Sequence, residues 1–318
     1  MKIHFWGTRG SIPVSLTTQD IRHKLATALQ AANGRSFASR AEIDQFIAGL
    51  GFDVSGTFGG HSSCVQLITD RPEHFILDLG SGVRPLGQHI LQCHGPATAQ
   101  VYHVFLSHLH WDHIMGFPFF TPAYLPGNQI VVHSGHPNAE FALRRQQESP
   151  SFPVSFDHMG ADIEFVVHEP GVTQTVAGMK VDLKKQRHGG DSYGWRFDYQ
   201  GTRVVYTTDS EYQVGDREEH DSFVEFFRNA DAVIFDAMYS LAEAVSVKAD
   251  WGHSSNTVAV EMCLAANVKR LFLFHHEPAH SDAQIEQIHQ ESRRYEEIMR
   301  DGNPLEVNAA WDGLELEV

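Results

Sequence analysis

No apolar run in these 318 residues approaches the ~18 that a membrane-spanning helix requires, so no membrane association is expected. The opening stretch, Met1 to Gly7, lacks the long apolar core of a secretory leader and reads as a first strand. Cysteine is scarce. Cys64, Cys93 and Cys263 are widely spaced and form no CxxC pair, which points to reduced, buried thiols and a cytoplasmic setting. Positive charge is short as well. Lys and Arg total 24 against 40 Asp and Glu, a formal net charge of −16. No clustered basic run is present, and polyanion binding normally draws on one. A long nucleic acid is therefore not an expected partner. A small anion held locally by bound cations remains open.

What the chain does have is histidine, 21 in all, and one stretch concentrates it. Ser107-His108-Leu109-His110-Trp111-Asp112-His113 places four potential metal ligands within a few residues. They follow Val101–Leu106, an apolar run that reads as a buried strand. Ile114 to Pro118 then reads as the first turns of a short helix. Ligands at i and i+2 can converge on one ion as the chain leaves a rigid sheet, while Asp112 and His113 face elsewhere and can serve a second. Imidazole with carboxylate suits Zn²⁺, Mn²⁺ or Fe.

This stretch resembles the HxHxDH signature of the metallo-β-lactamase superfamily of binuclear metallohydrolases. Its continuation, Gly116-Phe117-Pro118-Phe119-Phe120, is similar to the phosphodiesterase branch, which holds cyclic-nucleotide and cyclic-phosphate phosphodiesterases and, more distantly, tRNA 3′-processing endonucleases. The resemblance implies an α/β fold, a four-layer αβ/βα sandwich, with one domain over residues 1–318. It makes residues of about 15–55 a helical insertion, because shorter relatives run nearly straight from the first strand to the second. A homodimer is implied by resemblance alone.

Further along, Gly7 to Pro13 is a tight Gly-rich loop with no catalytic role assigned. In Gly59-Gly60-His61-Ser62-Ser63-Cys64, His61 stands where relatives carry Asn. Asp78, between the strand from His74 and Gly80, is expected to orient the histidine loop by hydrogen bonds rather than to ligate. Aromatics beside prolines between Ser149 and Gly160 are expected to pack rather than to rim a pocket. The superfamily's third His motif resembles Arg187-His188-Gly189-Gly190. Thr202–Thr207 is a strand ending at Thr208-Asp209-Ser210, and a carboxylate after a buried β run needs a partner. Asp236 ends another strand. Trp251-Gly252-His253-Ser254-Ser255 opens a helix with Ser as N-cap. The helix dipole disfavours a positive His253 there, which leaves it a candidate proton donor or phosphate contact. Val268–Phe274 runs into His275-His276. Strand alternation sends these two to opposite sides.

By resemblance, His108, His110 and His188 hold one ion, Asp112, His113 and His275 hold the second, and Asp209 bridges. The ions are divalent, zinc first, with manganese or iron as alternatives. Asp112 and His253 are the catalytic residues, with His253 protonating the leaving group. His253 and His276 are the substrate contacts. The activity implied is hydrolysis of a small cyclic phosphodiester, a cyclic nucleotide above all. Alternatives are a tRNA 3′-processing endonuclease, a hydrolase of thioesters, lactones or β-lactams, and a non-catalytic di-iron sensor.

Overall fold

The computed structural model describes residues 1–212, 217–239 and 253–318. Trp251 and Gly252 lie outside them. Two mixed seven-stranded sheets face each other. In sheet order the first holds β14 (Glu315–Glu317), β1 (Lys2–Gly7), β2 (Cys64–Ile68), β3 (His74–Leu77), β4 (Val101–Leu106), β5 (Gln129–Ser134) and β6 (Asp162–Val167). The second holds β13 (Glu306–Ala309), β12 (Arg270–Phe274), β11 (Ala232–Asp236), β10 (Thr202–Thr207), β9 (Ser192–Tyr199), β8 (Met179–Gln186) and β7 (Gln174–Val176). Each sheet is antiparallel on one side and parallel on the other. Pairing is parallel from β3 through β6 and from β10 through β13.

Period-two alternation decides which side chain enters which layer. Phe75 and Leu77 of β3, Val204 and Tyr206 of β10, and Phe272 and Phe274 of β12 share one core between the sheets. Their neighbours point the other way. Ile76 joins Val83, Leu86 and Ile90 beneath the helix Val83–His94. Val205, Leu271 and Leu273 pack with Phe223, Phe227, Ala259 and Cys263 of the flanking helices. Strands apolar on both faces require cover on both faces, and the result is the expected order of helix, sheet, sheet, helix.

The segment expected to be helical carries three helices: α1 (Thr18–Ala31), α2 (Arg40–Ala48) and α3 (Phe52–Ser55). None contains a buried residue. Lys24 ties α1 to the body through Asp282, at 2.7 Å. No helix among the described residues is long and apolar enough to cross a membrane. Two expectations need correction. Cys93 is exposed, unlike Cys64 and Cys263, because it sits in the last turn of the helix Val83–His94, past Ile90, the last buried residue of that helix. The short helix after β4 starts earlier than expected. It spans Trp111–Ile114 and contains Asp112 and His113.

Candidate metal centre

β8 and β10 both run antiparallel to β9, so they share a direction. The parallel pairing of β3 with β4, and of β10 with β11 and β12, brings the remaining C-terminal strand ends to one edge of each sheet. Ligand sites of open α/β sheets form at such edges. β4 delivers His108 and His110, β8 delivers His188, β10 delivers Asp209 and β12 delivers His275. Asp78, Asp209 and His275 leave their strands with left-handed backbones, at φ of 58°, 48° and 60°. That sharp turn aims each side chain along the edge. Gly10 makes room for it: a Cβ there would lie 2.6 Å from the His275 ring.

The side chains form two groups, each with ligand atoms within 4.8 Å of one another: His108, His110 and His188, then Asp112, His113, Asp209 and His275. Asp209 joins them. Its Oδ1 lies 3.2 Å from Nε2 of both His113 and His275. Its Oδ2 lies 3.7 Å from Nε2 of both His108 and His188. Asp112 Oδ2 is also 3.2 Å from Nε2 of His113 and of His275.

Hydrogen bonds fix these groups from behind. Asp78, fully buried, accepts from the Ser107 amide, the Ser107 hydroxyl and the Tyr206 hydroxyl, each at 2.7 Å. It also takes His113 Nδ1 at 2.7 Å, which leaves His113 Nε2 as the atom facing the group. Ser11 donates its backbone N–H to Asp112 Oδ2 at 2.8 Å. Asp78 therefore has the orienting place expected of it. The Gly-rich loop, given no role from sequence, steadies a candidate ligand; its two glycines were the available signal.

Electrostatics fit a cation. Burial lowers the His108 pKa well below its usual value, with His113 adding to the effect, and His108 Nε2 is buried without a hydrogen-bond partner. Burial resists charge on Asp209, but His275, His113 and His108 outweigh it and hold the carboxyl well below its ordinary range. Asp112 is lowered too: burial opposes the charge, and His113 and His275 overcome it. Among the described residues only histidines pair with Asp112 and Asp209. Nitrogen and carboxylate donors converging without Lys or Arg suit a borderline divalent ion such as zinc.

His253 lies beside both groups. It falls within 4.8 Å of ligand atoms of His188 and Asp209, and again of Asp236 and His275. Its Nδ1 is 2.7 Å from Oδ2 of the buried Asp236. The expectation of a disfavoured positive charge is overturned. Ser255, not His253, caps the helix that begins at Asn256. Burial works against the proton, but the Asp236 charge and hydrogen bond raise His253 to about 9. Nothing in the local sequence pairs Asp236 with His253; the parallel placement of β11 does.

His276 does not join the site. Its ring is buried against Phe58 and donates from Nε2 to the Ala310 carbonyl at 2.8 Å. Burial pushes its pKa down to about 3. The alternation that carries His275 inward carries its neighbour to the other side, so His276 is a packing residue and not a substrate contact. His61 bonds Ser81 at 3.1 Å and supports a turn.

A two-sheet αβ/βα sandwich with histidines and aspartates gathered at its strand edges defines a class, the metallohydrolase architecture. Residues 76–276 match the family model described as beta-lactamase superfamily domain, and the chain belongs to the metallo-β-lactamase superfamily. Ribonuclease Z of Picrophilus torridus is 24% identical over 235 residues, covering 60% of this chain and 74% of that one. Among solved structures, the metallo-beta-lactamase fold protein YhfI from Bacillus subtilis superposes with a TM-score of 0.64 at 18% identity, over 99% of this chain and 98% of that one. The short form of human tRNase Z gives 0.58 at 18% identity, over 100% and 99%. Of these three relatives, the first and third carry names that belong to the superfamily's tRNA-processing branch.

Proposed function

We propose that this protein is a binuclear, metal-dependent phosphodiesterase acting on a small cyclic phosphodiester, a cyclic nucleotide first. His108, His110 and His188 would hold one ion and Asp112, His113 and His275 the other, with Asp209 between. When bound, two divalent cations supply Lewis acidity and bring the pKa of water toward neutrality. The rest is work for the chain's own side chains. Asp112, steadied by Ser11, accepts a hydrogen bond from the attacking water. Asp236 takes His253 Nδ1 and leaves Nε2 to give its proton to the leaving alkoxide. The Asp236–His253 pair beside both ligand groups is the observation that carries this reading. A hydrolase of phosphodiesters needs such a donor, whereas a di-iron sensor has little use for one.

A tRNA 3′-processing endonuclease is the second reading. The name of the Picrophilus torridus relative favours it, and the expectation against a long nucleic acid draws no support from that relative. The net charge of −16 favours the small substrate. A homodimer belongs to the proposal, supported by the exposed Ile21, Leu25 and Leu29 of α1; light scattering gives the mass that tests it. The deciding experiment sets 3′,5′-cyclic nucleotides beside a 3′-extended precursor tRNA, with zinc- or manganese-loaded protein. Cleavage of the cyclic nucleotides is expected. Cleavage of the tRNA alone would replace the substrate and keep the site. Two bound metals with neither cleaved would shift weight to the other ester hydrolases or the sensor.

A further inference from the structure

Beside the histidine loop lies a cavity of about 620 Å³ that no proposed ligand occupies. Leu109 and Trp111 line it, and they alternate in the chain with His108, His110 and Asp112. The cavity wall and the candidate metal ligands are thus the two sides of one short segment. Phe119, Phe141 and Phe152 line the cavity as well. Trp111, Phe119 and Phe141 are 67%, 54% and 61% exposed, unusual for large aromatics that sit together. Phe119 and Phe152 meet edge to face at 5.6 Å. The sequence reading assigned the aromatics near Pro150 to packing. Phe156 does pack, at 7% exposed, but Phe152 rims this cavity.

Two polar groups complete the wall. Arg145 lies 5.9 Å from the Phe141 ring centroid. Unlike Arg144, which pairs with Glu140 and Asp157, it makes no ion pair among the described residues. Gln146 donates from Nε2 to the Ile114 carbonyl at 3.0 Å, which sets the direction of its amide. Its Oε1 is buried and has no hydrogen-bond partner. A buried acceptor without a donor costs free energy unless something supplies one.

We infer that this cavity seats the nucleobase of the substrate, stacked against the exposed rings of Trp111 and Phe141 with Arg145 beside them, while the Gln146 amide, its Oε1 sealed from the cavity, ties the wall to Ile114. The inference rests on the phosphodiesterase reading and adds the part of the substrate that does not react. An aromatic wall accepts the face of any base, and a cation over an aromatic face adds to stacking. An aliphatic occupant would gain nothing from Arg145, and a phosphate would gain nothing from the exposed rings.

The test uses the full chain and two variants on the helix Ala139–Arg145, outside the metal loop: Phe141→Ala and Arg145→Gln. Binding of adenosine monophosphate is read by quenching of tryptophan fluorescence, with no turnover required. Ribose 5-phosphate, which lacks a base, is the control. Saturable quenching by the nucleotide alone is expected. Phe141→Ala should weaken it roughly tenfold or more, the usual scale of losing one stacking partner. Arg145→Gln should weaken it by a further several-fold, and with the metal-loaded enzyme both should raise KM for a cyclic nucleotide while leaving kcat. Equal affinity for the base-free sugar phosphate, or variants that bind the nucleotide as the parent does, would overturn the inference. Nucleotide binding without hydrolysis of cyclic nucleotides would sink the small-substrate reading and leave the base site standing. Stronger competition by a precursor tRNA than by the mononucleotide would assign the base to a tRNA end instead.

Discussion

The two ligand groups share Asp209 and differ in almost everything else. The inner group, Asp112, His113, Asp209 and His275, is wholly buried, and its members are held from outside. Asp78 fixes His113, Ser11 fixes Asp112, and the Thr208 hydroxyl donates to Asp209 at 2.6 Å. The outer group is three imidazoles of mixed exposure, with His110 exposed and His108 buried. His188 Nε2 and His110 Nδ1 face each other at 3.0 Å. One group is preorganised around carboxylates; the other is nitrogen-rich and nearer to solvent. Preorganisation and charge both favour the inner position for the first and tighter ion.

Asp209→Ala should have the largest effect, because it removes the carboxylate that both groups use. Activity should fall by well over the ~10–100-fold that loss of a supporting partner brings, and metal analysis should show fewer than two ions per chain. Full activity with two ions would dissolve the comparison. His253→Gln comes next. It should keep both ions and slow turnover by ~10²–10⁴-fold, the range for a general acid; an unchanged rate would remove His253 from the reaction. Asp78→Asn acts directly on His113 of the inner group and reaches the outer group only through the Ser107 hydroxyl, which meets His108 Nδ1 at 3.1 Å. It should weaken the tighter ion by ~10–100-fold and spare the weaker one, as a competing chelator would reveal. Equal weakening would mean that the groups are not separately supported.

The smallest effect is a difference in protons. Burial opposes charge on His113, but Asp112, Asp209 and Asp78 surround it and raise its pKa well above the ordinary value. Burial lowers those of His108 and His110. At pH 7 the metal-free protein therefore holds a proton on His113 and none on His108 or His110. Filling the inner position should release the His113 proton, whereas His108 and His110 have none to release when the outer one fills. Titration calorimetry in buffers of different ionisation enthalpy separates the two. Release with both ions or with neither would erase the distinction.

Much of this was legible in the sequence because both the fold and the ligands follow a short period. Thr202–Thr207 was read with the bounds observed, since β-branched residues bounded by turns leave little choice. Strand ends together with the family resemblance then named the candidate ligands. What stayed hidden was long-range. Tyr206 reaches Asp78 from the opposite sheet, and no local pattern predicts that meeting. Asp236, at the end of β11, meets His253, just ahead of the helix that begins at Asn256, only through the tertiary fold. Alternation had already said that only one of His275 and His276 could face the site, so assigning His276 to substrate went against the period itself. The Phe152 wall depended on the loop after the helix Ala139–Arg145 coming to line one cavity with Trp111, which composition does not encode.

The left-handed backbones of Asp78, Asp209 and His275 carry a consequence for the history of such a chain. Each costs a residue with a Cβ roughly 1 kcal/mol, so the three together withhold an appreciable part of the roughly 5–15 kcal/mol that holds a domain folded. Glycine would relax any of them and would delete the side chain for which the turn exists. Selection for thermal endurance alone would drift toward glycine at these strand ends. Aspartate and histidine persist there only in a lineage where the chemistry of the edge is still in use.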